Sequence, residues 1–513
     1  EGFPLGSDED ILALSDPPYY TACPNPFVSS IISEWEQSKK NNDIEYSRQP
    51  FTADVSEGKN DPVYNVHTYH TKVPHKAIIR YILHYTKEGD IVYDGFAGTG
   101  MTGVAGDLCG DDGELNSMNI QPNGSIGGNR KVALGDLSPQ ASLISYVLSS
   151  KLDIGRFENE AKSIIQTVAR ELDWMYQTFH DEKEQKIGRI NYVVWSDVFI
   201  CSSCQNELVF SEVAMDEVTG KVKSEFSCGH CNVNHSKRSL NRVWETVFDG
   251  DLQETIKRAK QVPVIINYTY RKARYNKTPD EFDLLRIAEI ADMSIGGWYP
   301  VDELPDGYNT RQPINSHGLS HVHHFYTRRT LCILSKIYEL ISRSEYRLPL
   351  TILFTSQLVN LSKLNRYRPE VSFPYNPLNG TLYVGSLVSE ANVFDAYNNK
   401  IKRFGKGFKC SGGNVASSCN SLTDCRMVPD NSIDYVFTDP PFGGNRMYSE
   451  LSYLWEAWLL VKTNNEHEAI VNSVQEKRLG EYQTLMERCF ETYFRVLKPG
   501  RWMTVIFSNS QAR

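Results

Sequence analysis

A glycine-rich segment and a distant aspartate have the residue types and order needed to bind a ligand that carries a ribose. Residues 94–100 read Asp-Gly-Phe-Ala-Gly-Thr-Gly, directly after an apolar strand pattern and before a helical one. Gly98 and Gly100 let the backbone approach a ligand closely, and the start of the following helix offers free N–H groups to a carboxylate. Asp136 ends a second predicted strand, where its carboxylate can accept hydrogen bonds from ribose hydroxyls. A glycine loop that serves only packing is the alternative.

Four cysteines are spaced as two C-x2-C pairs, which indicates a metal site. The four residues are Cys201, Cys204, Cys228 and Cys231. Four thiolates suit tetrahedral zinc and leave no open coordination position, so we predict a structural zinc in a zinc ribbon at about 196–235. The neighbouring His230 and His235 are predicted to be solvated rather than ligands. Four unrelated thiols are the alternative.

Composition and charge narrow the class of protein. Hydrophobic residues make up 40% of the 513 residues and charged residues 23%, which is typical of a soluble globular protein. The net charge of -9 excludes a protein that coats nucleic acid through overall positive charge. We find no membrane span, no leader and no even cysteine framework, so we predict a cytoplasmic protein without disulfides.

The elements that position these residues alternate between strand and helix at both ends of the chain. A helix at 74–87, a strand at 91–94, a strand at 131–136 and a helix from Pro139 predict a parallel, doubly wound α/β sheet. The pattern resumes with strands at 433–438 and 502–507. We therefore predict one sheet domain formed by 8–150 and 411–513, interrupted by an α+β insertion at 151–410. Residues 110–129 are predicted to be a surface loop, and 411–421 a Gly/Ser-rich link.

Two of these segments resemble a known family. Residues 73–78 (VPHKAI) and 89–102 (GDIVYDGFAGTGMT) are similar to the adjoining cofactor motifs of amino-group DNA methyltransferases. The resemblance implies a Rossmann-like class I methyltransferase sheet that binds S-adenosylmethionine. It also implies that His75 and Lys76 lie near the methionine end of that cofactor and that Asp136 holds its ribose. The loop residues that it implies as cofactor contacts are Asp94, Phe96, Ala97, Gly98, Thr99 and Gly100.

A tetrapeptide after the strand at 433–438 resembles the catalytic motif of the same family. It consists of Asp439, Pro440, Pro441 and Phe442, and it is followed by the sequence segments YSELSYLWE and RVLKPG. The N6 lone pair of adenine is conjugated into the ring; a carboxylate and the Pro440 carbonyl that accept its N–H bonds would localise that pair toward a methyl donor. Phe442 offers a face on which an extruded base can stack. In the family Asp at the first position favours adenine over cytosine, and Asp424 matches the acid that contacts the cofactor's adenine ring.

Three features depart from that pattern or leave an alternative. Asp16-Pro17-Pro18-Tyr19 spells the tetrapeptide again and would give the motif order in which catalysis precedes the cofactor loop. The insertion precedes Asp424, whereas the family pattern places it after that acid. Because the sequence stops soon after the strand at 502–507, we expect a longer protein or a partner subunit. An RNA methyltransferase and a non-catalytic recognition subunit are the alternative functions.

Basic and aromatic residues interleave at 268–277, 366–368 and 400–409, which suits contacts with DNA phosphates and bases. Solvated surface loops are the alternative. The candidate DNA contacts are Tyr270, Arg271, Lys272, Arg274, Arg366, Arg368, Lys402, Arg403 and Lys406. The histidines at 317, 321, 323 and 324 are interpreted as a helix face rather than a metal site. By analogy we predict a bacterial modification or phage-defence system as the setting.

Overall fold

The computed structural model describes residues 24–39, 46–121, 127–216, 221–369, 371 and 374–507. The second copy of the tetrapeptide, at 16–19, lies outside these residues. The chain divides into two compact units. Unit 1 comprises Glu1–Glu158, Leu348–Ser356 and Lys402–Arg513, and unit 2 comprises Asn159–Arg347 and Gln357–Ile401. Leu348–Ser356 comes from within the predicted insertion but clusters with the two ends of the chain.

The described residues form strands of 2 to 15 residues. In chain order they are β1 Ile91–Asp94, β2 Lys131–Asp136, β3 Gln177–Asp181, β4 Lys186–Ile200, β5 Glu207–Val209, β6 Glu225–Ser227, β7 Asn234–Ser236, β8 Asn241–Arg242, β9 Trp244–Asp249, β10 Glu254–Ala259, β11 Gln261–Tyr270, β12 Ala273–Lys277, β13 Leu387–Ala391, β14 Val415–Cys419, β15 Ile433–Thr438 and β16 Leu497–Val505.

The α-helices follow the same chain order. They are α1 Val28–Gln37, α2 His75–Tyr85, α3 Met101–Leu108, α4 Asp112–Ser117, α5 Pro139–Leu148, α6 Ile154–Leu172, α7 Phe210–Ala214, α8 Glu281–Ala291, α9 Arg311–His317, α10 Arg328–Ser342, α11 Arg347–Leu358, α12 Val393–Phe404, α13 Tyr448–Leu459 and α14 Leu479–Val496. Within the described residues, no helix combines the length and the apolar character that crossing a bilayer requires.

Unit 1 contains a parallel five-stranded sheet in the order β14-β2-β1-β15-β16. All four residues of β1 and all six of β15 are buried, as expected for strands covered on both faces. Val92 pairs with Tyr435, although 343 residues separate them. The order reverses at β1, where the chain continues to β2 on one side and later adds β15 on the other. Ligands of open α/β sheets bind outside the carboxyl ends of strands at such a point.

Two predictions about irregular segments of unit 1 are wrong. The segment 411–421, predicted to be a link, contains strand β14, which pairs with β2 from Val415 to Cys419. Its small polar residues have low intrinsic strand character, but the exposed edge of β2 supplies the partner that decides its structure. The loop predicted at 110–129 contains helix α4, whose N-cap Asp111 accepts a hydrogen bond from the Glu114 amide at 2.8 Å.

Unit 2 is built around the 15-residue strand β4. Its sheet has the order β12-β11-β4-β13, and β3, β5 and β8 also pair with β4. The pairings with β4 are antiparallel. Near the end of β4 a small core forms around Phe199, Phe210 and Phe226 and includes buried cysteines. Two separate hairpins, β6–β7 and β9–β10, complete the strands of this unit.

Candidate active site

The glycine loop connects β1 to α3 at the carboxyl edge of the unit 1 sheet. Gly98 and Gly100 both have positive φ, of 51° and 74°, which favours glycine. A Cβ on Gly100 would lie 2.7 Å from the Ser145 Cα, so the close packing of the loop on α5 also requires a glycine. The Gly98 amide donates to Asp136 Oδ2 at 2.7 Å. The loop is therefore held against the end of β2.

Two aspartates, the buried Asp94 and the half-buried Asp136, organise this edge. Asp94 accepts hydrogen bonds from the Phe96 amide at 3.1 Å and from Thr102 Oγ1 at 2.6 Å, and burial raises its pKa to about 7. Asp136 accepts a bond from the Ser138 amide at 2.9 Å besides that from Gly98, and burial raises its pKa to about 6. Because a carboxylate has about four acceptor positions, Asp136 keeps capacity for a ligand's hydroxyl groups.

Asp439 follows β15 at the same edge and lines the same cavity as the glycine loop and Asp136. The half-buried carboxylate forms no hydrogen bond or ion pair within the described residues, and burial raises its pKa to about 6. It therefore stays mainly ionised above pH 6 and has free acceptor positions. The Pro440 carbonyl likewise accepts no hydrogen bond in the part of the chain described, whereas the Pro441 carbonyl accepts one from Tyr482 Oη at 2.9 Å.

Phe442 follows Pro441, which lines this cavity, but Phe442 itself is not among the lining residues. Its ring packs edge-on against Phe507, with centroids 5.3 Å apart and an interplanar angle of 76°. Tyr69 and Tyr448 do line the cavity, and the Tyr448 hydroxyl lies 3.2 Å from Thr71 Oγ1. Sequence reasoning missed the segment from Tyr69 to Val73, although it directly precedes the first cofactor motif and adjacency could have indicated it.

Three predicted cofactor contacts lie away from the cavity. His75 begins helix α2, where its fully buried ring lies 3.3 Å from the Glu114 carboxylate. Lys76 forms ion pairs with Glu114 and Asp61, so both residues belong to an internal charge cluster. Asp424 is exposed and pairs with Arg426 at 2.9 Å. None of the three lines the cavity, which is lined by Lys72 and Val73 and by Asn420 to Leu422, so their contacts with the cofactor stay predictions.

The placement of Asp424 has a local cause. The short 3-10 helix Leu422–Asp424 follows β14 and points Leu422 inward. A Cβ added to Gly95 would lie 2.7 Å from Leu422 Cδ1, which shows how closely the two residues pack. The turn that buries Leu422 leaves the carboxylate of Asp424 in solvent.

The four predicted zinc ligands come together in unit 2. Their ligand atoms all lie within 4.8 Å of one another, with Sγ–Sγ distances of 3.6 Å for Cys201–Cys231 and 3.7 Å for Cys204–Cys228. Tetrahedral zinc with bonds of about 2.3 Å requires about 3.8 Å between sulfurs. The arrangement therefore fits a zinc ion that the four thiolates could hold.

The two cysteine pairs form equivalent turns. The Cys201 amide donates to the Asn206 carbonyl and the Cys228 amide to the Val233 carbonyl, both at 2.9 Å. His235 differs from its predicted solvated position: it is buried, with Nε2 3.2 Å from Cys201 Sγ. His230 is exposed as predicted.

The candidate DNA contacts divide between the two units. Arg271 and Lys272 are exposed at the turn between β11 and β12 in unit 2, and Arg274 is exposed in β12. There the Arg271 guanidinium lies 5.4 Å from the ring centroid of Tyr270, which stacks on His180 at 4.2 Å. Arg368 is also exposed, whereas Arg366 is half-buried and donates to the Asn376 carbonyl at 2.9 Å. In unit 1, the exposed residues Lys402, Arg403 and Lys406 lie at the end of α12 and just after it.

A parallel α/β sheet with a glycine loop at its switch point and a free carboxylate on the adjacent strand fits a Rossmann-like methyltransferase. A family model described as DNA methylase, covering N6 and N4 methyltransferases, matches residues 7–120. This match supports the resemblance to amino-group DNA methyltransferases that the sequence motifs predicted, over that segment of the chain. The matched segment includes 16–19 and the glycine loop but not Asp439. Comparison with curated proteins and with solved structures gives no match.

Proposed function

We propose that this protein transfers a methyl group from S-adenosylmethionine to N6 of adenine in double-stranded DNA. The observation that carries this proposal is the free Asp439 carboxylate in the cavity that the glycine loop also lines. A carboxylate that is partly removed from water and has no partner is costly in free energy, and substrate N–H groups would lower that cost. The Pro440 carbonyl beside it offers the second acceptor that an exocyclic amino group needs.

The cofactor's proposed contacts are the residues of the loop and the end of β2. The carboxylate of its methionine part would bind the free N–H groups at the start of α3, where the helix dipole favours negative charge. Asp136 would accept hydrogen bonds from its ribose hydroxyls through the acceptor positions that Gly98 and Ser138 leave free. When bound, the cofactor supplies an electrophilic methyl group on a sulfonium.

Asp439 and Pro440 would act on the nucleophile. An N–H bond donated to the carboxylate and another to the carbonyl draw the N6 lone pair out of conjugation with the ring. Methyl transfer would form an N–C bond, break the C–S bond of the sulfonium and leave N6 with an excess proton. Asp439, with a pKa of about 6, is ionised at neutral pH and can accept that proton before releasing it to solvent.

The substrate base must leave the duplex to reach such a cavity, since N6 lies inside the base stack. Extrusion costs a few kcal/mol, which stacking on an aromatic side chain helps to offset. The aromatic candidates are Tyr448, which lines the cavity, and Phe442, which follows the lining residue Pro441 in sequence. The exposed basic turn at Arg271 and Lys272 is proposed to bind phosphates and so hold the DNA. A bacterial modification or phage-defence role follows only by analogy.

A second candidate for the catalytic motif is Asp16-Pro17-Pro18-Tyr19. The family model matches a segment that includes these residues and not Asp439, which is the observation in favour of this second candidate. Asp439 is preferred because it follows a buried strand adjacent to β1, at the edge that carries the glycine loop. Single substitutions distinguish the two motifs.

The zinc proposed for the cysteine site is structural, because four thiolates leave it no open position. It would cross-link the two cysteine turns beside the small core around Phe199 and so stabilise unit 2. No step of methyl transfer is assigned to it.

The experiment that tests the proposal measures modified nucleosides in DNA and RNA from a methylation-deficient host. The wild type is compared with Asp439→Ala, Asp16→Ala and Asp424→Ala variants, the last of which alters an exposed carboxylate. N6-methyladenine in DNA that disappears only with Asp439→Ala would support the proposal. N4-methylcytosine, methylation of RNA alone, or loss only with Asp16→Ala would each contradict a stated part of it.

A further inference from the structure

A second chemically rich cavity lies wholly within unit 2. Its volume is about 700 Å³, and it is lined by residues of β9, β10, α8, α10 and the segments between them. Methyl transfer as proposed above uses none of these residues. Three of its lining side chains, Asp249, His323 and His324, form a cluster whose ligand atoms all lie within 4.8 Å of one another.

The two imidazoles converge on one oxygen atom. Asp249 Oδ2 lies 3.0 Å from His323 Nε2 and 2.8 Å from His324 Nε2. The two rings are adjacent in the 3-10 helix Val322–Phe325, with centroids 4.2 Å apart. A metal ion with bonds of about 2.0–2.1 Å requires about 3.3 Å between such donors in tetrahedral geometry. The Asp249 oxygen and each of the two nitrogens therefore need to separate by only a few tenths of an ångström to hold an ion.

The carboxylate is fixed in place by its own loop. Asp249 ends β9, and its Oδ1 accepts hydrogen bonds from the Asp251 amide at 2.9 Å and the Leu252 amide at 3.2 Å. These two bonds aim Oδ2 at the imidazoles. Such support by backbone N–H groups is what orients carboxylate ligands in metal sites.

The charge of the cluster also favours a cation. The Asp249 side chain is only 8% exposed, and within the described residues no lysine or arginine pairs with it. Both imidazoles are buried beside it. A buried carboxylate is normally balanced by a cation or a metal ion.

We propose that Asp249, His323 and His324 bind a divalent transition-metal ion. Two imidazoles and a carboxylate suit Zn²⁺ and similar ions rather than Mg²⁺ or Ca²⁺, which prefer oxygen donors alone. Three protein ligands leave at least one coordination position, unlike the four-cysteine site. Such an ion would have room for water or an anionic oxygen as a further ligand, and Lys363, which lines the same cavity, would offer such an anion a positive charge.

Binding through Nε2 has a specific consequence for His324. In the absence of a metal ion its Nδ1 accepts a hydrogen bond from the His321 amide at 3.3 Å, so the proton lies on Nε2. A metal ion on Nε2 moves that proton to Nδ1. This change breaks the weak contact with the His321 amide, and it gives a spectroscopic signature of metal binding that a purely structural histidine lacks.

The experiment counts metal ions in the full-length chain. Purified protein is equilibrated with Zn²⁺, freed of unbound ion and analysed for metal content. The wild type is compared with Asp249→Asn, which keeps the shape of the side chain, and with Cys204→Ser, which impairs the cysteine site. His317→Gln is the matched control, since His317 is also a buried histidine on this cavity but contacts Asp197 at 3.2 Å outside the cluster.

We expect two zinc ions per wild-type chain, and one in each of Asp249→Asn and Cys204→Ser. The affinity of the site formed by His323 and His324 for zinc should fall by about tenfold or more in Asp249→Asn. The same affinity should stay unchanged in His317→Gln. Co²⁺ in place of Zn²⁺ separates the sites, because only the cysteine site has thiolate-to-cobalt charge transfer. ¹⁵N spectra of the histidines in the wild type should show the proton of His324 on Nδ1 after Zn²⁺ is added.

Two results would overturn the proposal. One is a folded Asp249→Asn variant, with the circular dichroism of the wild type, that binds as much zinc as the wild type. The other is a wild type whose bound metal is all lost in Cys204→Ser and whose His324 tautomer does not respond to Zn²⁺.

Discussion

Replacing Gly100 by alanine tests whether the glycine loop is shaped by the close approach of α5. Gly100 has φ 74° and ψ 27°, a left-handed conformation that costs a non-glycine residue about 1–2 kcal/mol. The new Cβ would also lie 2.5 Å from Ser145 Cβ and 2.7 Å from Ser145 Cα. The second of these is backbone and cannot move alone, so the helix must shift, at about 1–3 kcal/mol. We expect a total loss of unfolding free energy of about 2–5 kcal/mol.

Gly413→Ala provides the matched control in the same unit. Gly413 has φ 82°, but an added Cβ there would meet no atom within 4 Å. It therefore carries the backbone cost alone, about 1–2 kcal/mol. The difference between the two variants measures the contact with α5.

The assay is urea unfolding of both variants and the wild type, with hydrogen exchange of peptides from β1 and α5 used to assign the loss to unit 1. Binding of S-adenosylmethionine, measured by calorimetry, should weaken in Gly100→Ala and not in Gly413→Ala. Equal losses of stability in the two variants, within about 0.5 kcal/mol, would refute the argument from close packing.

Three further predictions concern charge and metal. The rate of methyl transfer should fall as the pH is lowered through about 6, because the Asp439 anion is present above its raised pKa and lost below it. A rate that stays constant from pH 5 to 8 would exclude the Asp439 carboxylate as the acceptor. The double variant Arg271→Ala/Lys272→Ala should weaken DNA binding for all sequences and reduce the slope of log K against log salt by about 2. Fluorescence anisotropy measures both quantities. Arg156→Ala, which replaces another exposed arginine, should change neither. Cys228→Ser should lower the zinc content by one ion and the melting temperature of unit 2, as followed by metal analysis and calorimetry; unchanged zinc would contradict the assignment.

The elements of the unit 1 sheet could be predicted where the sequence pattern was strong. Ile91–Asp94 and Ile433–Thr438 are continuous apolar runs, and each is followed by a motif that ends a strand at its carboxyl edge. Strand β14 was missed because Val415–Cys419 is mainly small and polar, and only its partner β2 makes it a strand. The sequence pattern of a segment indicates which secondary structure that segment favours by itself. Whether it forms a strand also depends on the partner strand that the rest of the fold provides.

The candidate site divides in the same way. The glycine loop, Asp136 and Asp439 meet in one cavity because carboxyl ends of adjacent parallel strands share an edge, which chain order alone can indicate. Asp424 could not be placed by analogy, since the turn after β14 decides which of its residues faces inward. The histidines at 323 and 324, interpreted as part of a helix face, lie in the 3-10 helix Val322–Phe325. Sequence analysis could not foresee that Asp249, 74 residues before His323, contacts both of them.

The pairing of β1 with β15 has a consequence for biosynthesis. At a ribosomal rate of about 5–20 residues per second, the partner of Val92 emerges from about 17 to 70 seconds after Val92 itself. During that interval one edge of β1 has no strand beside it, while the residues of unit 2 have time to fold. Unit 2 thus becomes a folded structure within the connection, which shortens the loop that the late strand must close and lowers its entropic cost. Cells with few chaperones should therefore yield less folded protein when unit 2 is destabilised, even if every residue of the sheet is unchanged.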